Sequence, residues 1–331
     1  MNELEIVNNA LNNLENTTRI KGRWKPGRKE LDGQIDFLLK DGNISLYVEV
    51  KNNLRAIHLR ALYKMAKRYA PLIVVTNHLF PKLKEELRNH QIAYLEENGN
   101  IWLQYKKTLL WIEGNKALPA EKEKTNRAFT KTGLKVLFLL LLEERFINAT
   151  YREIANKAGI ALGYVKYVLN GLKEKGFILK LNKDENKIIN KKELFDTWII
   201  RYEENLKPEL EIGRFRFLKQ EDFLDWKKMT LAPGKTYWGE EPAGNLLTNY
   251  LRPGTLTLYT LENRAELMKN YRLVPDPAGN VKVYKKFWDN DKVNDNFVPP
   301  LLAYADLINT GDPRCMETAE KIYNEFFKDK F

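Results

Sequence analysis

An Asp-Gly pair between two stretches of alternating polarity is the feature that most limits how this chain can fold. Gln34–Leu39 and Ile44–Lys51 flank Lys40-Asp41-Gly42-Asn43, and Asp-Gly in that setting signals a tight hairpin. A two-residue type I′ turn at Asp41-Gly42 sets Lys40 opposite Asn43, Ile35 opposite Val48, Phe37 opposite Leu46 and Leu39 opposite Ile44. Every partner on that face is apolar, and a slip of one residue would scramble the match. The other face carries Asp36, Tyr47, Glu49 and Lys51, with Asp36 diagonal to Glu49 at about 7–8 Å between backbones. Around this hairpin the spacing of Leu4, Val7, Leu11 and Leu14 predicts a helix. Further on come a helix near Ala56–Arg68, a buried strand Leu72–Thr76, a helix Pro81–Asn89, a strand Ile92–Leu95, a turn at Asn98-Gly99-Asn100 and a strand Ile101–Tyr105. Residues 1–112 therefore read as one α/β domain.

Two carboxylates at the expected diagonal separation can share a divalent cation, and a lysine two residues further on can orient a water. Asp36, Glu49 and Lys51 are thus candidate catalytic residues, with Asp36 and Glu49 the candidate metal ligands. The same pattern also arises as ordinary charge pairing on a solvated strand. Asp36 followed by Glu49-Val50-Lys51, between a preceding helix and a following helix and buried strand, resembles the PD-(D/E)-x-K restriction-endonuclease-like superfamily. That resemblance implies a restriction-endonuclease-like fold, Mg²⁺ on the two acids and lysine-assisted phosphodiester hydrolysis, in a superfamily with many inactive members. Lys21, Arg23, Lys25, Arg28 and Lys29 surround Trp24, and Arg60, Lys64, Lys67 and Arg68 share a helix face. Both sets suit either phosphate contact or plain solvation.

Charge narrows the classes of partner. The 331 residues hold 55 Lys and Arg against 44 Asp and Glu, a net charge of +11, which favours polyanions, nucleic acid above all. Most of that surplus lies centrally: thirteen basic and six acidic residues between Lys131 and Lys192. One cysteine, Cys315, excludes an internal disulfide, and three histidines make a histidine-built metal site improbable. The longest apolar run, Val136–Leu142, is too short to span a bilayer, and the start MNELEIV lacks the layout of a signal peptide. The expectation is a soluble, cytoplasmic protein without a membrane partner.

After a charged, unpatterned linker at 113–130, residues 131–192 read as a winged helix-turn-helix. Helix Leu134–Leu142 is apolar enough to be buried. Thr150-Tyr-Arg-Glu153 is a capping box opening a short helix closed by Gly159. Leu162–Lys175 follows, with Val165, Val168, Leu169 and Leu172 inward and Gly176 past its end. Phe177–Leu181 and Lys187–Ile189 make the wing. The outward side of the second helix presents Tyr164, Lys166, Tyr167, Asn170 and Lys173 to a major groove, and Arg152, Lys180, Lys183 and Lys187 flank it as phosphate contacts. The partner expected is double-stranded DNA; use of the same unit as a protein adaptor is the other possibility.

Residues 193–331 read as a mixed α/β domain, with strands at Gly213–Leu218, Thr255–Thr260 and Val281–Phe287 and a last helix opening at Asp312-Pro313. Tyr237, Trp238, Phe287 and Trp288 read as core. Gly234-Lys235-Thr236 lacks the glycine that a phosphate loop needs at position 229, which is Met229. The overall class is α+β and multidomain. Gly239-Glu240-Glu241-Pro-Ala-Gly-Asn-Leu-Leu-Thr248 through Gly254, Thr255–Tyr259, and Pro300–Arg314 resemble the AbiEi antitoxins of type IV toxin–antitoxin systems. The resemblance spans roughly 130–331. It implies a winged helix that binds promoter DNA, a C-terminal antitoxin domain, and a nucleotidyltransferase-type toxin (AbiEii) countered without a stable complex. Simpler members begin at the winged helix, whereas here a nuclease-like domain precedes it. The reading is a transcriptional regulator and antitoxin with a degenerate nuclease-like domain; the alternative is a Mg²⁺-dependent endonuclease targeted by its winged helix.

Overall fold

The computed structural model describes residues 3–27, 31–39, 42–115, 126–182, 185–289 and 296–330. They fall into two compact units, one ending at Lys122 and the other running from Glu123 onward.

In the first unit, α1 (Glu3–Thr18) lies on a seven-stranded sheet. The strands are β1 (Lys21–Pro26), β2 (Gly33–Leu39), β3 (Gly42–Lys51), β4 (Leu72–Thr76), β5 (Ala93–Glu96), β6 (Ile101–Tyr105) and β7 (Thr108–Ile112), in sheet order as in sequence. β3, β4 and β5 run parallel, connected through α2 (Ala56–Arg68) and α3 (Pro81–Asn89), and the remaining pairs are antiparallel. Ile6, Val7, Ala10, Leu11 and Leu14 recur at helical spacing and pack on Ile35, Phe37, Val48, Ile73 and Leu95. Gly99, in the turn between β5 and β6, has φ +85°, and a Cβ there would lie 2.9 Å from the Asn13 backbone of α1. Only glycine lets that turn touch the helix.

The hairpin keeps the expected faces but not the expected register. Ile35 pairs with Leu46, Asp36 with Ser45, Phe37 with Ile44 and Leu39 with Gly42. Gly42 is therefore a strand residue, and Lys40 and Asp41, the first half of the expected turn, lie outside the described residues. Strand alternation fixes register only modulo two, so a shift of two keeps every side chain on its face while changing its partner. β1 and β7, both edge strands, complete the sheet beyond the expected strands.

The second unit opens with a single turn at Arg127–Phe129, then α4 (Lys131–Leu142), α5 (Tyr151–Ala158), α6 (Leu162–Glu174) and a hairpin of β8 (Ile178–Lys180) and β9 (Asn186–Ile188). The capping box forms as read: Thr150 and Glu153 each bond the other's backbone N–H, and Gly159 closes α5 at φ +62°. α7 (Lys191–Arg201) passes through a widened π-helical turn, Tyr202–Leu206, into α8 (Lys207–Leu210). Then come β10 (Glu211–Phe217), α9 (Gln220–Leu224), β11 (Thr236–Gly239), α10 (Glu240–Thr248), β12 (Leu256–Thr260), α11 (Arg264–Tyr271), β13 (Leu273–Pro275), β14 (Val281–Lys285), α12 (Pro300–Asn309) and α13 (Pro313–Phe326). The sheet order is β11-β12-β14-β10-β13, with β12 and β14 parallel. The protein is α+β, with helices and mixed sheets in both units.

α4 is buried from Leu134 through Leu140 except at Lys135. Phe138 stacks on Trp198 of α7 at 5.2 Å and meets Phe287 at 5.0 Å, so α4 and the second half of the chain share one core. Tyr237, Trp238, Phe287 and Trp288 are all buried, as read. The span read as linker is structured at both ends. Glu113 accepts a hydrogen bond from Tyr94 at 2.6 Å, Asn115 bonds Asn98 and Asn100, and Asn126 donates to the Gly171 carbonyl at 2.9 Å. Residues 116–125 lie outside the described residues.

Candidate nucleic-acid interface and charged cavity

The register changes the geometry of the first candidate site. Opposite Ser45, Asp36 sits four positions short of Glu49 on β3, about 13 Å along the strand. Side chains that stand perpendicular to a sheet do not close that gap around one cation. Asp36 is otherwise engaged: Lys25 reaches it at 2.7 Å and Ser45 donates to it at 2.6 Å, and these bonds hold its carboxyl below the usual range. Lys51 pairs with Glu49. Asp36 and Glu49 thus do not fit a shared Mg²⁺. The carboxylate nearest Glu49 in register is instead Asp32, and its Oδ2 accepts the Val50 N–H at 2.6 Å. Among the described residues no cluster of three or more His, Cys, Asp or Glu is arranged to hold a metal ion.

The second candidate set is brought together. On α6, Val165, Val168, Leu169 and Leu172 face the core, which turns the opposite stripe to solvent. Tyr164 is 50% exposed, Tyr167 59%, and Lys166, Asn170 and Lys173 are exposed. Positions 166, 170 and 173 follow one another at helical spacing, so two ammonium groups and one amide line a single ridge. Arg152 on α5, Lys180 on β8 and Lys187 on β9 are exposed as well. Lys183 lies outside the described residues. The exposed glycine Gly163 near the start of α6 has nothing within 4 Å of where a Cβ would stand, so the ridge is open to close approach.

A third site escaped the reading by motif. Where the π-helical turn, α8, α10, β14 and α12 converge, Asp306 is fully buried. It accepts hydrogen bonds from the hydroxyls of Tyr202 at 3.1 Å and Tyr259 at 2.9 Å, and Lys207 pairs with it at 3.1 Å. Burial pushes the Asp306 carboxyl up to about 6, with Lys207 opposing. Burial alone would lower the Lys207 ammonium, but the Asp306 carboxylate and its neighbours outweigh it and hold the group well above its ordinary range. Beside them Glu240, almost wholly buried, takes Lys282 at 2.9 Å and the Thr257 hydroxyl at 2.9 Å. Its φ is +43°, a left-handed conformation that a glutamate adopts at a cost. A cavity of about 380 Å³ opens in front of this cluster. Cys315 lines it, but burial pushes its thiol up to about 12, which removes it as a nucleophile at neutral pH.

An exposed ridge carrying Lys166, Asn170 and Lys173 and a buried charge cluster around Asp306 thus lie inside one compact α+β unit. The sequence comparison makes this more specific. Residues 187–328 match the family model described as transcriptional regulator, AbiEi antitoxin, type IV toxin–antitoxin system. The chain is similar to that family from β9 to α13; α4, α5 and α6 precede the matched stretch. No curated protein and no solved structure matches the chain. Among the described residues no helix is long and apolar enough to cross a membrane.

Proposed function

We propose that this chain is a duplex-DNA-binding transcriptional regulator that also serves as the antitoxin of a type IV toxin–antitoxin pair in the cytoplasm. Residues 131–192 act as a winged helix, α6 entering the major groove and the β8–β9 hairpin tracking the adjacent backbone. Residues 193–331 supply the antitoxin activity against a nucleotidyltransferase-type toxin. Residues 1–112 form a degenerate restriction-endonuclease-like domain, in which Asp36 and Glu49 stand too far apart to share a metal ion, and it adds affinity for DNA without cutting it.

The observation that carries the reading is the exposed ridge Tyr164, Lys166, Tyr167, Asn170 and Lys173, set in the same compact unit as the stretch that matches the antitoxin family. Lysine and asparagine on such a ridge bond base edges, and the flanking lysines neutralise phosphates. The test is a fluorescence-anisotropy titration with the duplex upstream of the chain's own reading frame. Asn170→Ala costs about 1–3 kcal/mol on that duplex and relaxes discrimination against unrelated DNA, whereas Lys187→Ala weakens both duplexes alike and lowers the salt slope by about 1. Equal, salt-insensitive binding by wild type and both variants refutes the reading.

A further inference from the structure

The two edges of the seven-stranded sheet are unlike each other. β1 carries Lys21, Arg23 and Lys25 and ends on Pro26, charges and a proline that keep further strands from adding to it. β7, at the opposite edge, has no charge, proline or bulge from Thr108 to Ile112. Leu110 and Ile112 pack on the core of the unit, and the alternate residues Leu109 and Trp111 are 58% and 59% exposed on the other face. The Arg88 guanidinium lies 5.4 Å from the centre of the Trp111 ring and holds it in place. No strand pairs with the outer edge of β7 among the described residues. The chain that follows does not run along that edge: Glu113 is bonded by Tyr94, and Asn115 donates to Asn98 and Asn100, all on the β5–β6 side.

The backbone of this edge is ready to pair. Lys106-Lys107 is a two-residue turn, with Lys106 at φ +53°, between the partners Tyr105 and Thr108. Residues flanking such a turn exchange both hydrogen bonds, and bonded and non-bonded pairs then alternate. Leu109 and Trp111 therefore direct their N–H and C=O groups away from β6. The strand is also its own complement. Turned antiparallel about Leu110, Leu109 of each copy faces Trp111 of the other, and their outward N–H and C=O groups bond one another. Two leucine–tryptophan pairs then cover the exposed face. At each strand end the exposed Lys107 comes beside Glu113 of the other copy, whose side chain, though held by Lys84 at 3.2 Å, is still 36% exposed. A foreign strand would match this pattern by chance, whereas a second copy matches it by symmetry.

We infer that β7 is the surface through which two copies of this chain associate, joining their sheets antiparallel about a two-fold axis at Leu110. The interface is small, so the dimer forms and dissociates with concentration. The inference does not depend on the DNA-binding reading.

Sedimentation velocity of the full-length protein over about a hundredfold range of concentration tests it. A monomer that converts to a dimer as concentration rises is expected. Leu109→Lys places a charge on the bare edge and should abolish the dimer. Lys107→Glu sets like charges face to face at both strand ends and should weaken it at least tenfold. Leu224→Lys, at an exposed leucine of α9 in the other unit, should leave it unchanged. The register has its own readout. Leu110 of the two copies form a non-hydrogen-bonded pair with Cα atoms about 4.5 Å apart, close enough for a disulfide. Leu110→Cys should therefore cross-link under mild oxidation, whereas Leu109→Cys, opposite Trp111, should not; the native Cys315 is buried. This cross-link decides the matter if Leu109→Lys fails to fold. A wild type that stays monomeric throughout overturns the inference, as does a dimer that Leu109→Lys and Lys107→Glu leave unaltered or that Leu110→Cys does not cross-link. So does a monomer whose Leu109 and Trp111 amides resist hydrogen exchange, because another strand then holds the edge.

Discussion

Replacing Lys207 with methionine removes the ammonium that faces a fully buried carboxylate while keeping most of the side chain's bulk. The Asp306 carboxylate would keep the hydroxyls of Tyr202 and Tyr259 but lose its only ion-pair partner among the described residues. Breaking a buried pair by deleting one member costs about 3–5 kcal/mol, because the other charge is left uncompensated. For a unit of this size each kcal/mol lowers Tm by roughly 2–4 °C, so a fall of about 6–20 °C is expected at pH 8. The pH dependence follows from the direction of the Asp306 shift. Its carboxyl titrates near 6 when folded, above the ordinary 3.8, so the folded state holds the proton more tightly than the unfolded chain. Its burial therefore costs stability above pH 6, and that cost is relieved as the pH falls from 6 towards 4. Without Lys207, the first opposing influence is gone and the carboxyl rises further. The deficit of Lys207→Met relative to wild type should thus shrink on going from pH 8 to pH 5.5, and Asp306→Asn in the same chain should recover part of it. Circular-dichroism melts at the two pH values read this out. A deficit under 2 °C at pH 8, or one that widens on acidification, would show that the pair is not an uncompensated-charge problem at all.

Three further outcomes follow from other parts of the chain. Gly99→Ala must place a side chain at φ +85° against the backbone of Asn13; a loss of about 1–3 kcal/mol in urea unfolding of the first unit is expected, and a neutral result would mean that α1 moves aside. Asp312→Ala removes the cap that accepts the Arg314 N–H at 2.9 Å and the Cys315 N–H at 3.2 Å, costing about 0.5–2 kcal/mol. Burial alone would raise the Asp312 carboxyl, but these bonds lower it, so the cap's contribution is present at neutral pH and disappears as acid protonates it; equal wild-type and variant melts at pH 7 would contradict this. Plasmid incubated with Mg²⁺ or Mn²⁺ should stay intact, and Glu49→Gln should leave DNA affinity within twofold; cleavage abolished by that substitution would restore the nuclease alternative.

What was legible in the sequence was whatever depends on local period and on caps. The helices Ala56–Arg68 and Pro81–Asn89 and the strand Leu72–Thr76 begin and end at the residues expected, because apolar spacing and a proline at the first helical position act within a few residues. The capping box at Thr150 and the αL glycine at 159 are equally local. Hairpin register was not fixed, since shifts of two conserve every face, and so the closeness of Asp36 to Glu49 was inferred from a pairing that does not form. Asp32 went unnoticed because its role, accepting the Val50 N–H, belongs to the strand opposite. The cavity draws on residues from 203 to 315, a span over which no spacing rule operates. One clue was visible: Asp306 interrupts the apolar run Pro300–Ile308, and a lone carboxylate inside so apolar a helix has to find a cation somewhere.

Phe138 belongs at once to the helix under the basic ridge and to the rings of Trp198, Phe287 and Trp288. A chain cut just after β9 would leave that phenyl ring and its neighbours facing water, so neither fragment inherits a finished interior. The exposed basic ridge and the segment resembling the antitoxins therefore share one interior, and a swap of one without the other would have to rebuild the aromatic seam between them.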